Sequence, residues 1–85
     1  MPATGQAAID LKTFDASEKM AEIRNIIQVS EEVGNIATIF AYESLGDSRE
    51  TLFICTLLRN DGHRVEYRKD MIIVKSRKEN EHAEN

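Results

Sequence analysis

The segment from Leu52 to Val74 constrains this chain most. Leu52, Phe53, Ile54, Cys55, Leu57 and Leu58 crowd a stretch bounded by Asp47-Ser48 on one side and Gly62 on the other. Asp47 or Ser48 can cap a helix from Arg49 to about Asp61, and Gly62 is free to take the left-handed stop. Because the apolar residues wrap more than one stripe, this helix either lies deep in a small core or offers apolar surface to a partner. Beyond it, Val65 and Tyr67 alternate with Arg64, Glu66 and Arg68, Lys69-Asp70 makes a tight turn, and Met71-Ile72-Ile73-Val74 returns. This is the pattern of a hairpin, with Tyr67 on its inward side.

Upstream, Ile9, Leu11 and Thr13 alternate with Asp10 and Lys12, which predicts a first strand. Asp15 and Glu18 have capping-box spacing, so a helix is expected from there, with Met20, Ile23, Ile26 and Ile27 on its apolar face and an end near Gly34. Ile36 to Tyr42 is rich in β-branched and aromatic residues, the mark of a strand. Val33, Ile36, Ala37 and Phe40 also fit a continued helix, which is the competing reading. Ser44 to Ser48 reads as a loop. The expected order is β-α-β-α-β-β, an α+β two-layer sandwich with one four-stranded mixed sheet and two helices on a single face.

With 85 residues the chain forms one domain, placed at 9–76 between a loose N-terminus at 1–8 and a polar tail at 77–85. So small a domain buries only about 60–65% of its unfolded surface, which makes self-association a natural source of further burial. Hydrophobic residues at 41% and charged residues at 31% exclude disorder along the whole length. The single Cys55 forms no internal disulfide and leaves no cysteine pair for a metal, so neither metal nor cofactor is expected. No apolar run approaches the ~20 residues of a membrane span, and the expected compartment is the cytoplasm.

Net charge is −4, but it is unevenly spread. Residues 1–47 carry three basic and eight acidic side chains, whereas residues 48–78 carry eight basic and four acidic ones. Arg64, Arg68, Lys69 and Lys75, on or beside the hairpin, are therefore candidates for contact with a partner or with nucleic acid. Gly46, Asp47 and Ser48, at a helix N-terminus, are the candidate anion site. Cys55, in an apolar helix middle, reads as core rather than nucleophile. His63 reads as a loop histidine with one hydrogen bond, and Glu31-Glu32 as solvated carboxylates.

The element order, together with Phe53-Ile54-Cys55-Thr56-Leu57-Leu58-Arg59-Asn60-Asp61-Gly62-His63-Arg64-Val65, resembles the SirA/TusA-like sulfur-carrier proteins over residues 9–76. The resemblance implies a sulfur-relay setting, in which a Cys-Pro-x-Pro motif at the start of the first helix carries persulfide. Here Ala16 stands at the cysteine position, with Ser17 and Lys19 at the proline positions. An alanine methyl is no nucleophile, so the resemblance implies a non-catalytic interaction or regulatory module whose partner is another protein, such as a member of a sulfur relay. The alternative is a nucleic-acid-binding module using the basic C-terminal hairpin. A second resemblance covers residues 48–75: Ser48-Arg49-Glu50-Thr51, the following helix and the hairpin are similar to the recognition helix and wing of Crp-type winged-helix regulators. On that reading the recognition helix displays Phe53 and Ile54, where polar groups are needed to read bases. Residues 36–42 are taken to separate the two layouts, strand favouring the first and helix the second.

Overall fold

A computed structural model describes residues 2–77. The chain runs α1 (Pro2–Asp15), α2 (Glu18–Glu32), β1 (Ala37–Ala41), α3 (Tyr42–Leu45), α4 (Ser48–Asn60), β2 (Val65–Tyr67) and β3 (Met71–Lys75). It is an α+β domain of two layers.

The expected first strand is absent: residues 9–13 lie inside α1. Five residues of alternation are too few to outweigh the pair Leu11 and Phe14, which sit three apart on one helical face and pack against the core. The Phe14 ring lies 5.6 Å from that of Phe53, tilted by 46°. Helix α1 also runs through the expected domain boundary at residue 8; residues 78–85, most of the expected tail, lie outside the described residues.

Ser17, rather than an Asp15–Glu18 box, starts α2. Its backbone is extended and its Oγ accepts the Met20 N–H at 3.2 Å, while its hydroxyl donates to the Phe14 carbonyl at 2.6 Å. Asp15 instead ends α1 and pairs with Arg24. Helix α2 buries Met20, Ile23 and Ile27 and stops at Val33, followed by Gly34 in the left-handed region at φ 92°. Ile26, expected on the same face, is exposed.

Residues 37–41 are strand, so the continued-helix reading of this stretch falls. The expected loop is partly helical: α3 buries Leu45, and the Tyr42 hydroxyl donates to the Arg68 carbonyl at 2.8 Å. Asp47 caps α4 by a full capping box, accepting the Glu50 N–H at 2.8 Å while the Glu50 carboxylate accepts the Asp47 N–H at 3.1 Å. Helix α4 buries Ile54, Cys55, Leu57 and Leu58.

The sheet has three antiparallel strands in the order β1-β3-β2, in place of the four-stranded mixed sheet expected. With the first strand gone into α1, no parallel pairing remains. Phe40 of β1 pairs with Ile72 of β3, and Val65 of β2 with Val74. Phe40, Ile72 and Val74 face the helices and complete one core with Met20, Ile54 and Leu58. Among the described residues no helix is long and apolar enough to cross a membrane.

Candidate nucleic-acid interface

Helix α4 has two unlike faces. Ile54, Cys55, Leu57 and Leu58 are turned into the core. Arg49, Leu52, Thr56 and Arg59 follow one another at spacings of three, four and three and so line the opposite face. Leu52 is 60% exposed. Ile54, expected on display, is fully buried, and Phe53 leans against Phe14 of α1. The apolar surface that argued against a base-reading helix is therefore turned away.

Each end of this face is fixed by a neighbour. The Arg49 guanidinium lies 5.3 Å from the Phe53 ring centroid, a cation–π distance, and pairs with Asp10 of α1. The Arg59 guanidinium donates to the Tyr67 hydroxyl of β2. Tyr67 is 52% exposed, not inward as expected. It lies on the helix side of the sheet, but the three-residue strand carries it past the edge of the core. At the hairpin tip Arg68 pairs with Glu66 at 2.8 Å, and Lys69 stands exposed. The helix face thus carries Arg49 and Arg59, and Lys69 stands at the tip of the hairpin that Arg59 touches through Tyr67; Arg68, opposite Met71 and paired with Glu66, lies by the strand alternation on the sheet face away from the helices, while α2 bears Glu18, Glu22, Glu31 and Glu32.

The other candidate residues are not brought together here. Arg64 and Lys75 are neighbours through the Lys75 N–H, which donates to the Arg64 carbonyl at 2.8 Å. The strand alternation sets them on the sheet face away from the helices. At Gly46, Asp47 and Ser48, the capping box already takes up helix-start amides, and two carboxylates would confront an incoming anion. Ala16 sits exposed in the turn between α1 and α2, Ser17 is a helix cap, and Lys19 pairs with Glu50 at 3.5 Å.

Cys55 is 1% exposed. Burial pushes its thiol pKa up, against smaller opposing effects of the Tyr67 hydroxyl and the Arg59 charge. It is a protonated core residue at neutral pH. His63 is buried too, its Nδ1 2.9 Å from the Lys75 carbonyl, which requires the proton on Nδ1. Glu31, expected to be solvated, lies 3.9 Å from that ring and accepts the Arg77 backbone N–H at 2.9 Å. No group of three or more metal-binding side chains occurs among the described residues.

Sequence reasoning missed Arg49, Leu52, Thr56 and Arg59. The signal was their helical spacing opposite Ile54 and Leu58, hidden because Leu52 and Phe53 were counted with the core.

No protein-family model matches the chain, nor does any curated protein or solved structure.

Proposed function

We propose that this chain is a winged helix-turn-helix domain that binds double-stranded DNA, with α4 entering the major groove and the β2–β3 hairpin flanking it as the wing. The observation that carries the reading is the outer face of α4: Arg49, Leu52, Thr56 and Arg59 point out together, and Arg59 touches through Tyr67 the hairpin whose tip bears the exposed Lys69. The element order after α1 (helix, strand, two helices, hairpin) and the sheet order β1-β3-β2 support it. A strand at residues 37–41 does not separate the two layouts after all, since a winged helix also places a strand between its first and second helices.

The chemistry suits the groove. Arginine donates two hydrogen bonds to a guanine edge, threonine donates or accepts one, and a leucine side chain meets the thymine methyl. Lys69 reaches for the phosphates that set register. Arg59 is held by Tyr67 before any ligand arrives, so less side-chain entropy is lost when it binds. Overall acidity does not forbid this, because Arg49, Leu52, Thr56 and Arg59, the residues that would meet the groove, include no carboxylate. The interaction role expected from the sulfur-carrier resemblance does not compete for these residues; a protein contact attaches to the β1 side.

The test is fluorescence anisotropy with a labelled random-sequence duplex of about 24 base pairs at low and moderate salt. Binding should weaken as salt rises, and Arg59→Ala with Arg49→Ala should weaken it at least tenfold. Arg64→Ala with Lys75→Ala should leave it within about twofold, since these residues face away from the groove. No binding at 50 mM salt, or a larger loss from the second pair than from the first, refutes the assignment.

A further inference from the structure

The sheet has two open edges, and they are unlike. Strand β2 is three residues long and carries Glu66 between Arg64 and Arg68, charges that discourage pairing with a neutral strand. Strand β1, Ala37-Thr38-Ile39-Phe40-Ala41, has neither charge nor proline. Backbone bonds from Ser76 N–H to the Ile36 carbonyl (2.9 Å) and from Tyr42 N–H to the Asp70 carbonyl (3.2 Å) fix which residues of this strand face β3. By the antiparallel alternation, Ala37 and Ile39 then aim their N–H and C=O groups outward. Among the described residues no backbone group pairs with them.

Apolar side chains flank this edge. Ile39 is 62% exposed on the outer face of the sheet. On the helix side, Ile26 shares a cleft with Phe40 and Ser44. Val29 and Val33 extend Ile26 at helical spacing, and Ile36 carries the strip into the strand. This stripe is separate from Met20, Ile23 and Ile27, which serve the core, and Val33 at its end is 72% exposed. The five side chains expose roughly 500 Å² per copy, more than half of the ~800 Å² that each partner gives to a standard interface. The strand backbone and its rim supply more.

We infer that two copies of this chain pair β1 to β1, antiparallel across a two-fold axis, into one six-stranded sheet with the Ile26–Val33 stripes meeting on its helix side. The complement of a short neutral strand edge is another such strand, and β1 supplies it by symmetry. The strand order places β1 at the edge opposite β2, the strand that α4 contacts, so both α4 faces stay open in the pair. The inference is independent of DNA binding and is tested without nucleic acid.

Sedimentation equilibrium of the full chain at about 50 µM should give twice the monomer mass of 9.6 kDa. Ile39→Lys and Val33→Glu alter exposed side chains, and each should raise the dimer dissociation constant at least tenfold with an unchanged circular dichroism spectrum. Leu52→Glu, on α4, should not move it. A wild-type monomer at this concentration overturns the inference, as does a dimer whose dissociation constant neither Val33→Glu nor Ile39→Lys changes. If Ile39→Lys does not fold, Val33→Glu alone decides.

Discussion

Phe14 and Phe53 meet at a tilt, ring centroids 5.6 Å apart, across the α1–α4 contact, and Arg49 lies over the far ring of the pair. The two rings hold α1 against the flank of α4 and keep Phe53 off its outer face. Replacing Phe14 with alanine should cost about 2 kcal/mol, less than for a wholly enclosed phenylalanine because Phe14 is only half-buried. Urea unfolding of the two proteins measures it. A change below about 0.5 kcal/mol would mean that α1 contributes little to the fold.

Thr38 points its hydroxyl into the core side of β1, buried and with no hydrogen-bond partner among the described residues. Valine has nearly the same shape without the polar atom. Thr38→Val should therefore leave stability unchanged or raise it by about 1 kcal/mol, because an unsatisfied buried hydroxyl carries a desolvation cost. Loss of stability in the melting curve would show that the hydroxyl is satisfied.

Cys55 gives the protein a pH dependence on the alkaline side. Its folded-state pKa is raised above the unfolded value of roughly 8.5, chiefly by burial. Below the unfolded value both states hold the proton and stability does not depend on this group. Above it the unfolded chain releases a proton that the folded chain keeps, so stability falls as pH rises toward the folded pKa. Denaturant midpoints at pH 7 and pH 10 should show this decline in the wild type and a smaller one in Cys55→Ala. In the native protein, the thiol should react with a disulfide reagent at pH 8 far more slowly than in urea.

On the proposed DNA-binding reading, Lys69 at the hairpin tip is expected to meet a phosphate rather than a base. Lys69→Ala should weaken binding to all duplexes by a similar factor, a few-fold at moderate salt, and lower the salt slope by about one. Anisotropy titrations at four salt concentrations against two unrelated duplexes test this. A loss confined to one duplex would instead place Lys69 against a base.

The later half of the fold was legible because its signals are local. Asp47 with Glu50 marks a helix start by a contact three residues long, Gly62 marks its end, and Val65 and Tyr67 alternate into a turn and return. The front was not legible. Ile9, Leu11 and Thr13 alternate by coincidence; what decides their state is Phe14 finding Phe53 almost forty residues away, which no local pattern reports. Tyr42–Leu45 escaped notice because one turn of helix is shorter than any periodicity. The proposed interface was half visible: the basic surplus after residue 48 is a matter of counting, and it singled out Lys69. Which cations share a face depends on rotation about α4 and on the strand alternation, and these leave Arg64, Arg68 and Lys75 on the other face of the sheet.

Tyr42, anchored in the body of the domain, holds the carbonyl of Arg68 at the hairpin tip. Beside the β1–β3 pairing, which runs along the whole of β3 to Met71, this bond adds a second tie on the β2 arm of the turn. Tied near its tip, the hairpin behaves as a fixed fin. On the proposed DNA-binding reading, the span from Arg59 to Lys69 then becomes a built-in calliper setting: a surface whose ridges match that gauge is gripped without first reshaping the hairpin.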